Sequence, residues 1–489
     1  MERRNMGRRL KLCYIILFLT VCCIPVYTMS FLAELESAEK RELQEKPDLW
    51  EDGRIDPEYT KKMDQWLSDH FSFRSRLAAN FSMIKADLFA TSSEESVIVG
   101  REDWLYFAET LDDYMQRRVL SDEELIRIRK ILTLVDEYVT SKGGDFLFFV
   151  APNKNTVYPE YMPYYYPKGT GSSSLERLNR ALEGSSFYRD VSAVLKEKKA
   201  SWQQEASASN HPQWLYYQRD SHWNDYGAAV AFETIMDWRE FVNGNYGEAP
   251  LGQMQSHVDW LSQEYQMTMD WVGDLEQMLF PKGGRLDWQV SWEEPPEFSY
   301  ASSFHSPEDL LIQTVNDQKE GRLLMFRDSF GNALYPFLAG EYGYAQFSRI
   351  VPYRLFLLEE NPCDTVIIEL VERNLSTLLT AAPMFLAPLR PQIKAVECED
   401  AVVYIREANG MLHVYGTMDS GSPCLSGIFI AAAKDGVTAY YEAFPVLERK
   451  LLSEAGEGAD VFDGGTAGFS AYLPLEYKEG TAWSIFKEE

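Results

Sequence analysis

The chain has 489 residues, more than one ordinary hydrophobic core can organise, so two folded domains and an N-terminal appendage are expected. A hydrophobic content of 45% and an aromatic content of 14% suffice for packed interiors and exclude extensive disorder. The net charge of −28, with no clustered cations beyond the N-terminal tail, excludes a nucleic-acid-binding surface and opposes broad attraction to a polyanionic polymer.

The N-terminus carries Arg3, Arg4, Arg8, Arg9 and Lys11, and no charged residue follows between Leu12 and Ala33. Such an uncharged run is long enough to cross a bilayer, and its basic flank predicts a cytoplasmic tail with the remainder of the chain outside. The expected organisation is a tail and anchor over 1–33, a charged, proline-marked stalk over 34–56, an α/β domain over 57–390, and a small all-β domain over 391–489. Of the six cysteines, Cys13, Cys22 and Cys23 fall in the apolar run. Cys363, Cys398 and Cys424 remain, with no CxxC pair to suggest zinc, and Cys398 could pair with Cys424 in an oxidising exterior.

Residues 66–89 read as an amphipathic helical stretch, and VIVGREDWLYF at 97–107 as a strand or hairpin. The segment from Ser121 gives the clearest helix. Ser121 and Glu124 form a capping box, Leu125, Ile128, Leu132, Val135 and Val139 line one face, and Gly143 ends it. The short apolar runs DFLFFVA at 145–151, RLLMF at 322–326 and DTVIIELV at 364–371 read as buried parallel strands alternating with helices. The fold class is therefore α/β, a three-layer sandwich with a mostly parallel sheet. Beyond 391, AVVYIRE, MLHVYG, GIFIAAA, TAYYEAF and FSAYLPL are short β-rich pieces between turns, as in a β-sandwich.

In such a sheet, chemistry collects where strands run out into loops at their carboxyl ends. Ser329, three residues past the strand RLLMF and just before a helix, would have the free N–H groups of that helix beside its hydroxyl. A serine needs a base whose ring is held by a further group. Asp220 and His222, one residue apart, supply both if the backbone between them is extended, with Ser221 turned to the opposite face. The same residues could instead cap a helix beginning near Tyr226. Asn153, Lys154, Arg373 and Asn374 stand at strand ends where a second oxyanion contact would be placed. His70, His211, His257, His305 and His413 show no metal-ligand spacing, so neither a metal nor a cofactor is expected.

DSHW with its following Gly-Ala, and FRDSFGNALYPFLAGEYG, resemble the DHHW family and the alginate O-acetyltransferases of the SGNH hydrolase-like superfamily. HFSFR at 70–74, VIVGREDWLYF, FVAPNKNTVYPEYMP at 149–163, GDL at 273–275 and ERN at 372–374 are similar to landmarks of that family in the same order. The resemblance covers roughly residues 57–390. It implies a serine acyl-transfer enzyme with Ser329 as nucleophile, His222 as general base and acid, and Asp220 as its orienting carboxylate. Arg327 stands where superfamily members often have glycine, and Ser221 replaces the family's second-position histidine. The expected activity is O-acetylation of a secreted or cell-surface polysaccharide. A polysaccharide esterase, or a non-catalytic polysaccharide-binding protein, would suit the same scaffold. Because acetyl-CoA is cytoplasmic, the resemblance also implies a membrane-bound O-acyltransferase partner that delivers the acyl group.

Overall fold

The computed structural model describes residues 11–20, 23, 46–51, 54–70, 81, 85, 91–205, 213–245, 257–280, 284–418, 427–447 and 467–488. The chain divides into two compact units, Met1–Ser93 with Leu279–Gly284, and Glu94–Met278 with Arg285–Glu489. In the first, residues 11–20 are helical and a further helix spans Tyr59–His70. Among the described residues no helix is long and apolar enough to cross a membrane, and most of the uncharged run up to Ala33 lies outside them. Much of the stalk, most of the amphipathic stretch at 66–89, and Cys424 lie outside them as well.

The second unit is built on a seven-stranded sheet. Helix α1 (Asp122–Ser141) has the expected capping box, in which the Ser121 hydroxyl accepts from the Glu124 N–H and the Glu124 carboxylate accepts from the Ser121 N–H. It leads into β1 (Asp145–Ala151), and after β2 (Tyr188–Arg189) come helices α2 (Val191–Glu205) and α3 (Asp225–Asn245). The remaining strands are β3 (Ser299–Tyr300), β4 (Leu311–Val315), β5 (Arg322–Phe326), β6 (Tyr344–Ser348) and β7 (Thr365–Val371), with helix α4 (Gly331–Glu341) between β5 and β6.

The strand order is β2-β1-β7-β5-β6-β4-β3. From β2 to β6 every neighbouring pair is parallel, whereas β4 and β3 join antiparallel. The sheet is thus mixed rather than simply parallel. Only residues 316–321 connect β4 to β5, too few for a crossover, so β4 must run the other way.

Both faces of the central strands are buried, which is why they read as unbroken apolar runs. Successive side chains alternate between two cores. Leu147, Phe149, Leu323, Met325 and Ile367 pack with α2, α3 and α4, while Phe146, Phe148, Leu324, Phe326 and Ile368 pack with Ile128, Leu132, Val135 and Val139 of α1. This gives the expected three layers.

The C-terminal strands are β8 (Ala395–Glu397), β9 (Val402–Ala408), β10 (Met411–Met418), β11 (Ile428–Lys434), β12 (Val437–Leu447), β13 (Ala467–Leu473) and β14 (Ala482–Glu488). They form one continuous antiparallel sheet in the order β8-β14-β11-β12-β13-β10-β9. Two separate sheets were expected. The difference arises because β12 is shared, pairing through Val437–Ala443 with β11 and through Phe444–Leu447 with β13. Val414, Ile430, Ala443, Ala471 and Ile485 lie in the core this sheet encloses.

Phe444 and Val446 belong to the same core as α1, and Arg127 of that helix donates to the Val446 carbonyl at 3.2 Å. Phe444 is 1% exposed and stands edge-on to Phe385, with ring centroids 5.1 Å apart. Phe444→Ala is expected to cost about 3–5 kcal/mol of stability by leaving a cavity between α1 and the C-terminal sheet. Urea unfolding measures this, and a midpoint equal to wild type would show that the contact is dispensable.

Candidate active site

Asp220 and His222 sit at the tip of a hairpin between α2 and α3. Tyr216 bridges Trp223, the Tyr217 N–H donates to the His222 carbonyl at 3.3 Å, and the Asn224 N–H donates to that of Leu215 at 3.0 Å. Inside this hairpin lies the Lys154 ammonium. It donates to the carbonyls of Tyr217 (3.1 Å), Gln218 (3.0 Å) and Asp220 (2.6 Å), and it lies over the rings of Trp104 and Tyr106. Burial pushes the Lys154 pKa down to about 7 against the opposing charges of Asp220, Asp287 and Asp274, and three carbonyl acceptors compensate the buried ammonium. Lys154 is therefore not an oxyanion contact, because its donors are spent on holding the hairpin.

The Asp220 carboxylate accepts at both oxygens. Oδ1 takes the His222 ring Nδ1 at 2.7 Å and the His222 backbone N–H at 3.0 Å, and Oδ2 takes the Trp271 indole N–H and the Asp274 backbone N–H, each at 3.1 Å. Burial favours its neutral form, but the His222 hydrogen bond and charge and the two backbone donors outweigh burial and hold it below the usual carboxylate range. For His222 burial opposes the charged ring, yet the Asp220 hydrogen bond and charge, with Asp274 adding, raise its pKa above the ordinary value against the opposing charge of Arg373.

Gly273 is what allows Asp274 to come this close. A Cβ there would stand 2.2 Å from the Arg219 carbonyl oxygen and 2.8 Å from the Asp220 nitrogen.

The serine is set by a second group of contacts. Asp328 donates its N–H to Glu369 at 2.9 Å, and its carboxylate accepts the N–H of Phe330 at 2.9 Å and of Val371 at 2.7 Å. The turn between β5 and α4 is thereby stitched to the end of β7. Burial and the Asp328 charge push the Glu369 pKa well up. Trp223 donates its indole N–H to the Phe330 carbonyl at 2.9 Å, joining this turn to the histidine hairpin. The result is a contact of 2.8 Å between Ser329 Oγ and His222 Nε2, across 107 positions of sequence.

The structure thus brings Ser329, His222 and Asp220 into one hydrogen-bonded line. With Nδ1–H directed at Asp220, the neutral imidazole presents its Nε2 lone pair to the serine hydroxyl, an arrangement able to withdraw a proton as that oxygen attacks.

The other sequence candidates fall as follows. Arg373 lies over the rings of Phe107 (5.3 Å) and Phe330 (5.7 Å), beside the residue that follows Ser329, and Asn374 is next to it in the turn Glu372–Asn374 after β7. Asn153 is buried, its N–H donates to Glu372 at 2.8 Å, and its Oδ1 has no hydrogen-bond partner among the described residues. Ser221 does not turn away as expected. Its Oγ lies 3.2 Å from His222 Nδ1, because residues 220–222 form a hairpin tip rather than flat strand in which alternate side chains diverge.

Arg327, a departure from the resembled pattern, is buried. It reaches the Pro307 carbonyl at 2.8 Å and Asn332 at 2.5 Å, tying the loop before β4 to the serine turn. Asp274, Trp271, Asp328 and Glu369 were missed in the sequence as site residues. The GDL landmark and the Asp preceding Ser329 were the available signals.

Asp220, His222 and Asp274 offer ligand atoms within 4.8 Å of one another. Those atoms are engaged with each other and with N–H or O–H donors, so no metal is assigned to them.

Gly273→Ala is expected to cost about 1–3 kcal/mol of stability and to displace Asp274 from Asp220. Thermal melting and labelling of Ser329 by a fluorophosphonate should both fall, and unchanged labelling would separate the Gly273 contact from the reactivity of the serine. Treatment with EDTA is expected to leave that labelling unaltered. Loss on chelation, restored by adding a divalent metal, would show that the acidic cluster holds an ion.

Residues 97–311 match the family described as ALGX: SGNH hydrolase-like domain, acetyltransferase AlgX, a segment that contains Asp220, His222 and Asp274 and ends before Ser329. No curated protein matches the chain. Among solved structures the chain is similar to PatB1 of Bacillus cereus, at 13% identity over 57% of this chain and 96% of that one, with a TM-score of 0.39. It is similar to the O-acetyltransferase domain of Pseudomonas putida AlgJ at 16% identity, 57% and 92% coverage and a TM-score of 0.35. It is also similar to a DHHW family protein from Eubacterium siraeum at 14% identity, 50% and 84% coverage and a TM-score of 0.36. What the family match supports is a likeness, over residues 97–311, to the SGNH hydrolase-like domain of the acetyltransferase AlgX.

Proposed function

We propose that this chain is an extracytoplasmic serine O-acyltransferase that acetylates hydroxyls of a secreted or cell-surface polysaccharide. The observation that carries the reading is the Asp220–His222–Ser329 line, with contacts of 2.7 and 2.8 Å on the two ring nitrogens. Ser329 Oγ attacks the acyl carbonyl of a donor while His222 Nε2 takes the serine proton and passes it to the leaving group. A sugar hydroxyl then gives its proton to His222 and attacks the acyl-serine, forming the new ester and restoring Ser329. Amides at the start of α4, with Arg373, Asn374 or Asn153, are the candidates for the developing oxyanion.

The basic tail followed by an uncharged run supports an N-terminal membrane anchor with the enzymatic domain outside. Acetyl-CoA is absent there. A membrane-bound O-acyltransferase that carries the acyl group across the bilayer is the partner this reading requires, and the polysaccharide is the acceptor.

Labelling by a fluorophosphonate is expected in the wild type and absent in Ser329→Ala. Its acid limb should lie above the ordinary imidazole range, because His222 must lose its proton to act and the Asp220 contact outweighs burial in raising its pKa. Reactivity then rises with pH through that value. In a host carrying the chain, Ser329→Ala should lower the acetyl content of the surface polysaccharide. Equal acetylation at equal protein level would remove the transferase reading, and increased acetylation would point to an esterase.

A further inference from the structure

We infer that Asp274 is a second positioning carboxylate for His222, coupled to the imidazole through the Ser221 hydroxyl. The inference rests on reading Ser329 as the nucleophile and adds a group beyond the Asp220 line. Ser221 Oγ donates to Asp274 Oδ2 at 2.5 Å, its N–H donates to Asp274 Oδ1 at 2.7 Å, and the same Oγ stands 3.2 Å from His222 Nδ1. Asp274 Oδ2 itself is 3.6 Å from Nδ1, and the Asp274 backbone N–H donates to Asp220 Oδ2 at 3.1 Å.

The arrangement does two things. The backbone of Asp274 fixes one oxygen of the primary carboxylate, while its side chain brings a further negative charge toward the nitrogen that becomes positive when His222 takes the serine proton. Ser221 is the geometric link, holding Asp274 against the hairpin tip. In a fixed pair such as this, a neighbouring anion favours the protonated ring by direct Coulomb attraction.

The charged groups that bear on the ring are Asp220 and Asp274 on the Nδ1 side, Arg373 from the turn after β7, and Glu308 from the loop before β4. Arg373 opposes ring protonation and the carboxylates favour it. Removing the Asp274 charge alone therefore shifts ring titration downward in pH. A solely structural Asp274 would change the amount of reactive protein and leave the titration in place.

The test compares full-length wild type, Asp274→Asn and Ser221→Ala by the pH profile of fluorophosphonate labelling at Ser329. Asparagine keeps one oxygen to accept from Ser221 and carries no charge. The acid limb is expected to move to lower pH, raising the ratio of acid to alkaline labelling by about threefold, with a smaller movement of the same sign in Ser221→Ala. Limbs coincident with wild type in both variants overturn the inference. His222 ring resonances followed by NMR against pH report the same displacement without any reaction at Ser329. An unlabelled wild type would thus defeat the nucleophile assignment, while the resonance titration decides the coupling to Asp274 separately. If Asp274→Asn does not fold, Ser221→Ala alone decides, and an unmoved His222 titration there counts against the inference.

Discussion

The site depends on the fixing of one buried carboxylate. Asp220 is held in place by four donors on its two oxygens, from His222 side chain and backbone, Trp271 and Asp274, and its carbonyl is held by Lys154. A buried anion is tolerated only when its lone pairs are occupied, and here their occupation also dictates which imidazole nitrogen carries the proton. Without that constraint the ring could rotate or take the other tautomer, and Nε2 would have no lone pair to offer the serine. Lys154 contributes at one remove, as an ammonium buried among three carbonyls that keeps the hairpin tip from unwinding.

The turn that carries Ser329 is held by an independent set of bonds. Asp328 occupies the N–H groups of Phe330 and Val371, Glu369 accepts from Asp328, and Arg327 fastens the loop before β4 to the same turn. The serine therefore sits on the sheet, at the carboxyl end of β5, whereas the histidine hairpin lies between α2 and α3. The Trp223 indole donating to the Phe330 carbonyl connects the two, so the Ser329–His222 contact is a tertiary consequence of layer packing and not of local sequence. Arg327, ahead of the Asp328–Ser329 pair, is itself part of the scaffold.

Much of this was legible in the sequence where a pattern is local. The Ser121–Glu124 box, the stripe of α1 and the apolar runs of β1, β5 and β7 declare themselves because one burial environment governs several consecutive residues. The strand Leu311–Val315, second from the edge of the sheet, did not, since only Ile312 and Thr314 are buried and five residues are too short a run to stand out from a loop. The long strand Val437–Leu447 was read short, and with it the continuity of the C-terminal sheet was lost. At the site, Asp220, His222 and Ser329 follow from chemistry and resemblance. Asp274, Asp328 and Glu369 act through contacts to residues distant in the chain or to backbone amides, which composition and spacing do not encode. Ser221 was misplaced because two-residue alternation was assumed where the chain turns.

The most direct measurement of the central claim is peptide mapping by mass spectrometry after brief exposure of the protein to 4-nitrophenyl acetate. An acetyl group on Ser329 in the wild type, and its loss when His222 is replaced by alanine, is the expected result. An acetyl group found on another residue with Ser329 unmodified, or equal acetylation of Ser329 without the imidazole, would contradict the proposed activation of this serine.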